Sequence, residues 1–228
     1  MKEKLYKNRI LWRIAVYVLG LLVLAFGVAI AINANLGVSP VASLPFISSL
    51  ILYDTPGIWT TVGMLTTIMN TFFILLQVVI QRKEFKWINL TQILFSTIFG
   101  FFVDFTLWVL SDFTLPTYFG RLAMLIISII LIAGGIVLFM GAKLVPLPTE
   151  GFCLVVAQKL KNGKFHIVKM IFDCSLVVIS VVISLIFLNS IQGVREGTII
   201  SALAIGKIIP YMRKLFKPIL KLVEVHEE

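Results

Sequence analysis

The chain has 228 residues, of which 59% are hydrophobic and 14% are charged. A soluble domain has about 45–50% apolar and about 25% charged residues, so this composition excludes a single soluble domain and indicates a polytopic membrane protein. The formal net charge of +9 would suit a nucleic-acid-binding protein. Here the basic residues lie at the ends of apolar segments, so we expect a lipid bilayer as the partner and no nucleic acid.

Taken in chain order, the apolar segments predict six membrane-spanning helices. A span needs about 20 mostly apolar residues. The segments are 10–32, 58–81, 88–111, 118–141, 165–188 and 196–213. The first run is longer than the roughly 7–15 apolar residues of a secretory signal, so we predict a retained helix.

The distribution of lysine and arginine predicts the orientation of these spans. Basic residues concentrate in 1–9, 81–86, 143–164 and the segment from Arg213 onward. The intervening connections contain few, namely Arg195 and, at the start of the fourth span, Arg121. By the positive-inside rule both termini are cytoplasmic. Residues 214–228 then form a cytoplasmic tail, and the stretch from Tyr211 to Val225 is either an amphipathic helix on the membrane surface or a solvated helix end.

An internal repeat is visible when each residue is compared with the one 108 positions later. Arg13 then matches Arg121, Gly27 matches Gly135 and Pro40 matches Pro148. The order of features also recurs, which predicts one transmembrane domain over 1–228 with repeats at about 10–111 and 118–213. Because each repeat has three spans, an odd number, the two must be inverted relative to each other, as in many secondary transporters.

Each repeat contains a polar, helix-breaking segment followed by a short apolar one. The breaks read "NANLGVSP" at 33–40 and "KLVPLPTEG" at 143–151, and the short segments are 41–52 and 151–160. At 1.5 Å per residue neither short segment crosses about 30 Å of hydrocarbon. Each is therefore a re-entrant half-helix or an interfacial helix, and the sequence leaves both open.

Polar side chains within or beside the spans are candidates for a substrate or ion pathway, because such groups usually face the protein interior. At a slightly different offset, 103 residues, Asn70 of the first repeat matches Asp173 of the second. The alternatives are a helix-packing face and structural ion pairs, with Asp173 paired to Lys207 and Asp104 paired to Arg121; Lys169 shares a helix face with Asp173. The pathway candidates are Asn33, Asn35, Asn70, Gln92, Asp104, Glu150, Asp173 and Lys207.

Motifs for enzymatic chemistry are absent from the sequence. There is no HExxH helix, no GxSxG and no glycine-rich phosphate loop. The two cysteines and two histidines are isolated, which gives no metal-ligand cluster. We therefore expect no enzyme activity, no cofactor and no metal.

Several of these segments resemble one family. The arginine-led first helix, the "NANLGVSP" break, "LPTEGF" at 147–152 and "EGTIISALAIGKI" at 196–208 are similar to the YczE/YyaS/YitT family of bacterial integral membrane proteins. The resemblance covers nearly the whole chain. It implies a multi-pass protein of the bacterial inner membrane with a duplicated helical fold, and it assigns no binding residues.

The leading functional prediction is a small secondary transporter, an exporter of small organic or amphipathic molecules whose identity the sequence does not give. The alternatives are the substrate-binding subunit of an ATP-energised vitamin importer and a non-transporting scaffold or assembly factor. The glycines of the first and fourth spans, Gly20, Gly27, Gly134 and Gly135, suit close helix packing within a subunit or in a homodimer.

Overall fold

The fold of the described residues is entirely helical. A computed structural model describes residues 2–53, 59–160 and 163–223, with side chains described for those between 10 and 221. Short 3₁₀ turns at Arg82–Glu84 and Trp87–Leu90 join the third and fourth helices. The helices are α1 (Lys2–Ala34), α2 (Pro40–Tyr53), α3 (Val62–Gln81), α4 (Thr91–Val109), α5 (Tyr118–Gly141), α6 (Pro148–Lys159), α7 (Phe165–Leu188), α8 (Glu196–Leu215) and α9 (Lys217–Val223).

Five of the helical segments are long and apolar enough to cross a membrane. These segments, among the described residues, are Ile10–Ala34, Val62–Glu84, Trp87–Val109, Tyr118–Gly141 and Phe165–Leu188. The sixth predicted span forms as α8, which has 20 residues but includes Glu196, Lys207, Arg213 and Lys214. The structure therefore gives five candidate spans, and α8 matches them in length but not in apolar character.

The two short apolar segments form helices that begin at proline. Pro40 starts α2 and Pro148 starts α6, positions where the missing N–H of proline costs nothing. Their 14 and 12 residues correspond to about 21 Å and about 18 Å, less than a bilayer core. Both pack against α3 and α7, and most of the first two turns of each helix is buried. Their inner ends therefore lie inside the helix bundle.

Helices α1 and α5 form the centre of the bundle. A Cβ atom on Gly20 would lie 2.5 Å from the backbone nitrogen of Phe139, and one on Gly135 would lie 2.7 Å from that of Leu24. The backbones are thus in direct contact, as small residues permit in membrane helices. Residue numbers rise along α1 as they fall along α5, so the two helices are antiparallel.

Contacts in the first half of the chain have counterparts in the second. α3 packs on α4 and α7 on α8; α2 packs on α7 and α6 on α3; α1 packs on α4 and α5 on α8. The non-glycine residues with positive φ also fall into two pairs. Asn35 (φ 50°) and Lys143 (φ 51°) follow α1 and α5, and Arg82 (φ 47°) and Asn189 (φ 51°) follow α3 and α7. The backbone reverses direction at corresponding points of both halves.

Candidate functional site

A closed cavity lies between the two halves of the bundle. It is lined by residues of α1 to α8 and of the breaks before α2 and α6. Its volume, measured as the space open to the centre of a water molecule, is about 40 Å³. A single water needs roughly 10–15 Å³ by this measure, so the space suits a few waters or one small solute. Its apolar wall consists mainly of Leu24, Val28, Phe99, Val103, Ile132, Ile136, Leu147 and Ile205.

Three buried charged side chains form a cluster at the cavity wall. Lys169 Nζ donates to Asp173 Oδ1 at 2.8 Å and lies 3.4 Å from Glu150 Oε1. Their side chains are 1%, 1% and 4% exposed, respectively. The Thr149 hydroxyl donates to Glu150 Oε2 at 2.8 Å. With all three groups ionised, this ion triad of Glu150, Lys169 and Asp173 has a net charge of −1.

The triad is assembled from two elements. Lys169 and Asp173 stand four residues apart on α7, which places them on one face. Glu150 comes from the first turn of α6, where the exposed N–H groups of a helix start favour a carboxylate. The Lys169–Glu150 contact therefore joins α6 to α7 inside the bundle.

A pair of glutamines holds the start of α6 in place. Gln77 and Gln92 exchange amide hydrogen bonds of 3.0 and 3.2 Å, and Gln77 Nε2 also donates to the Pro148 carbonyl at 2.9 Å. Gly151 allows this approach, because a Cβ atom there would lie 3.0 Å from Gln77 Oε1. These buried bonds fix the position from which Glu150 reaches Lys169.

The first half contributes uncharged residues at the corresponding places. Asn70 of α3 lines the same cavity as the triad, is 2% exposed, and its Oδ1 accepts no hydrogen bond from the protein. Thr66 and Ala42 also line the cavity. At an offset of 103 residues Asn70 and Thr66 correspond to Asp173 and Lys169, and at an offset of 108 Ala42 corresponds to Glu150. The charged residues of the cavity therefore all come from the second half of the chain.

The structure brings together some of the predicted site residues and separates others. Asn70, Glu150, Lys169 and Asp173 meet at the cavity. Gln92 does not line the cavity, but it is hydrogen-bonded to Gln77, which holds the start of α6. The remaining candidates, Asn33, Asn35, Asp104 and Lys207, do not line it.

The predicted pairing of Asp173 with Lys207 is wrong. Asp173 pairs with Lys169 on its own helix, while Lys207 is exposed on the surface of α8. The sequence feature that indicates the observed pair is the four-residue spacing of Lys169 and Asp173 on α7. Matching two residues by their depth along different helices ignored the direction in which each side chain leaves its helix.

The predicted pairing of Asp104 with Arg121 is also wrong. Asp104 accepts hydrogen bonds from the Thr61 hydroxyl at 2.7 Å and from the Gly63 N–H at 2.8 Å, and so caps the start of α3. Arg121 Nε instead donates to the Leu115 carbonyl at 3.1 Å. The carboxylate has a structural role at a helix end.

The two asparagines of the first break also have structural partners. The Asn33 side-chain amide donates to the Leu110 carbonyl. The main-chain carbonyl of Asn35 accepts a hydrogen bond from the Arg195 guanidinium at 2.9 Å. Thr66 lines the cavity but was not predicted to do so. In the sequence nothing distinguishes it from the other threonines of α3. Its contribution depends on how α3 is rotated.

Comparison with known sequences places the chain in a family. Residues 11–214 match a family of unknown function, DUF6198. The chain belongs to this family. It is also 26% identical over 154 residues to the uncharacterized membrane protein YczE of Bacillus subtilis (strain 168). That alignment covers 67% of this chain and 66% of YczE, so the match spans just under two thirds of the relative.

The resemblance to YczE proteins inferred from the sequence is thereby confirmed, and with it the assignment of this DUF6198 protein as a membrane protein. No solved structure matches the chain. The function of this DUF6198 protein is therefore inferred from the geometry of its cavity.

Proposed function

We propose that the protein is a small secondary transporter of the bacterial inner membrane, an exporter of small organic or amphipathic molecules, and that the cavity is its substrate site. The observation that carries this proposal is the fully buried triad at the wall of a closed cavity between the halves. Charged side chains at membrane depth are expensive and usually mark a substrate or ion pathway. A cavity that is closed in the structure needs an opening motion before any solute can enter it.

The proposed architecture is two inverted three-helix repeats, with α8 as the sixth span and both termini cytoplasmic. It is supported by the antiparallel packing of α1 on α5, the matched helix contacts and the matched positive-φ residues. Inverted halves give a transporter two related ways of opening, one toward each side of the membrane. The cavity at their junction is where such a motion would expose a site alternately.

Each end of the α1–α5 pair is closed by a few specific hydrogen bonds. At one end the first break is held by the loop before α8 and by the first turn of α8. The Val38 N–H donates to the Gly193 carbonyl at 2.9 Å, and the Gly197 N–H donates to the Leu36 carbonyl at 2.8 Å. At the other end the Arg13 guanidinium donates to the carbonyls of Ala142 and Lys143, just after α5, with 2.9 Å from Nε to that of Ala142. These are the bonds whose loss would open either side separately.

Accessibility of Ser39 tests the proposal without knowledge of the substrate. Ser39 lines the cavity and is 3% exposed. In a chain with Cys153→Ser and Cys174→Ser, we expect Ser39→Cys to react with a membrane-impermeant thiol reagent in both right-side-out and inside-out vesicles. Such two-sided labelling requires that the cavity open alternately to each face.

The matched control is Ser128→Cys in the same background. Ser128 is fully buried on α5 and does not line the cavity, so it should remain unlabelled from both faces. Labelling of Ser39→Cys from one face only would contradict transport and favour a substrate-binding subunit. Labelling from neither face would favour a scaffold.

A further inference from the structure

The charge of the cavity is unbalanced, which points to the class of solute that it holds. Glu150 and Asp173 provide two carboxylates, and Lys169 provides one ammonium group. Among the described residues that line the cavity no other side chain is charged. A buried net charge of −1 is unfavourable unless a further cation or a bound proton neutralises it.

The first half of the chain offers an additional hydrogen-bond acceptor at the cavity. Asn70 Oδ1 is buried and accepts no hydrogen bond from the protein. A buried acceptor without a partner costs about 1–3 kcal/mol, which a donor on the ligand would recover. An N–H or a polarised C–H group of a cation placed between Asn70 and the triad would contact both sides.

The remaining walls suit an organic cation better than a bare alkaline-earth ion. Most lining residues are aliphatic or aromatic, whereas alkaline-earth ions are surrounded by about six or more oxygen ligands. A cation with an apolar body fits such walls, because its charge faces the carboxylates while its carbon atoms contact Val28, Phe99 and Ile136. With an anion or a neutral solute in the cavity, only a bound proton could compensate the charge of −1.

We infer that the cavity binds a small organic monocation and exchanges it for one proton at the Glu150–Lys169–Asp173 triad. This inference rests on the proposed transport function. In the cation-free state the proton resides on one of the two carboxylates, and the triad is neutral. When the organic cation enters, that proton leaves to the solvent, so the cavity is neutral in both states and the exchange moves one charge in each direction.

The groups that face the triad from other elements are uncharged or very weakly acidic. Tyr17 on α1 and Cys153 on α6 are also fully buried, and a tyrosine hydroxyl or cysteine thiol with the ordinary pKa of its type is neutral at physiological pH. α3 contributes the Asn70 amide and the Thr66 hydroxyl. From α2, α4, α5 and α8 the described lining residues are apolar. The two carboxylates are therefore the groups that can take up the exchanged proton.

Tetramethylammonium is a suitable probe, because its permanent charge prevents it from crossing the bilayer as a neutral base. Binding to the full chain in lipid nanodiscs is measured by calorimetry, with tert-butanol as a neutral compound of similar size and acetate as an anion. We expect binding of tetramethylammonium alone. Its apparent affinity should fall by up to tenfold for each unit by which the pH is lowered, as competition with one proton requires.

Proton movement is followed in proteoliposomes that contain a pH-sensitive dye. External tetramethylammonium should make the lumen more alkaline, since each cation that enters releases one proton outward. The variants Asp173→Asn and Glu150→Gln should each weaken cation binding at least tenfold and abolish the proton signal, because the remaining Lys169–carboxylate pair is neutral. Glu84→Gln is the matched control, since Glu84 pairs with Lys159 at the exposed surface.

Thermal unfolding of each variant verifies that it is folded before binding is compared. Equal binding of tert-butanol, affinity that does not change with pH, or cation uptake without proton release would each overturn the inference. Two-sided labelling of Ser39→Cys together with no tetramethylammonium binding would overturn this inference alone. Absence of labelling would overturn the transport proposal itself.

Discussion

Lys169 is the group whose removal should affect stability most, because it is the sole cation of the triad. Lys169→Met keeps an unbranched side chain of similar length but leaves two buried carboxylates without a counter-charge. At an effective dielectric constant of about 20, an ion pair at the 2.8 Å separation from Asp173 is worth about 6 kcal/mol of Coulomb attraction. At the 3.4 Å separation from Glu150 the corresponding value is about 5 kcal/mol.

These attractions are offset by the desolvation of Lys169 and by the mutual repulsion of the carboxylates. Loss of one partner from a buried pair typically costs about 3–5 kcal/mol, which we take as the net effect of Lys169→Met. For a chain of this size that loss corresponds to a fall of about 6–20 °C in Tm. Adding Asp173→Asn to Lys169→Met should raise Tm again, since it removes one of the two buried acidic groups that Lys169→Met leaves without a counter-charge.

The native Cys153 provides the assay, because its thiol is fully buried in the folded protein. In a Cys174→Ser background, a maleimide dye that fluoresces on reaction with a thiol reports unfolding in detergent as Cys153 becomes accessible. Lys159→Met is the matched control at the exposed pair with Glu84, where ion pairs contribute about 0–1 kcal/mol. The stabilising role of Lys169 is refuted if Lys169→Met unfolds at the same temperature as Lys159→Met, or if the double variant is less stable than Lys169→Met.

Two further predictions concern packing and capping. Gly135→Ala should destabilise the protein by about 1–3 kcal/mol, because the added Cβ atom would lie 2.7 Å from the backbone nitrogen of Leu24. Gly134→Ala is the control, since its Cβ atom would meet only the edge of the Phe216 ring, at 3.3 Å. Equal Tm values for the two variants would contradict the close packing of α1 on α5. Asp104→Ala should lower stability by about 0.5–2 kcal/mol, because it removes the acceptor that caps α3, while two-sided labelling of Ser39→Cys persists. Loss of that labelling would instead place Asp104 in the transport pathway.

Local sequence was sufficient to predict the class of protein and the course of the backbone. Hydropathy located the five apolar spans, because a helix that faces lipid must be apolar over its whole length. The breaks were equally readable, since Pro40 and Pro148 start the short helices and Asn35 and Lys143 reverse the chain before them. The comparison at 108 residues predicted that these two sets of features would correspond.

The charge of α8 shows where hydropathy alone falls short. The segment was predicted as a span from its length and small residues, and it forms a helix of the expected extent. Its four charged residues make it less apolar than the other five. Whether such a helix crosses the membrane depends on which of its faces the other helices cover.

The sequence by itself determined that the chain is a helical membrane protein with two similarly ordered halves, because hydropathy, proline and chain reversal act over neighbouring residues. Only the tertiary structure decided which polar groups share a site. Glu150 reaches Lys169 because Gln77 positions the start of α6, and Asp104 turns to a helix end instead of the cavity. Those contacts depend on the rotation and depth of each packed helix, which no short stretch of residues specifies.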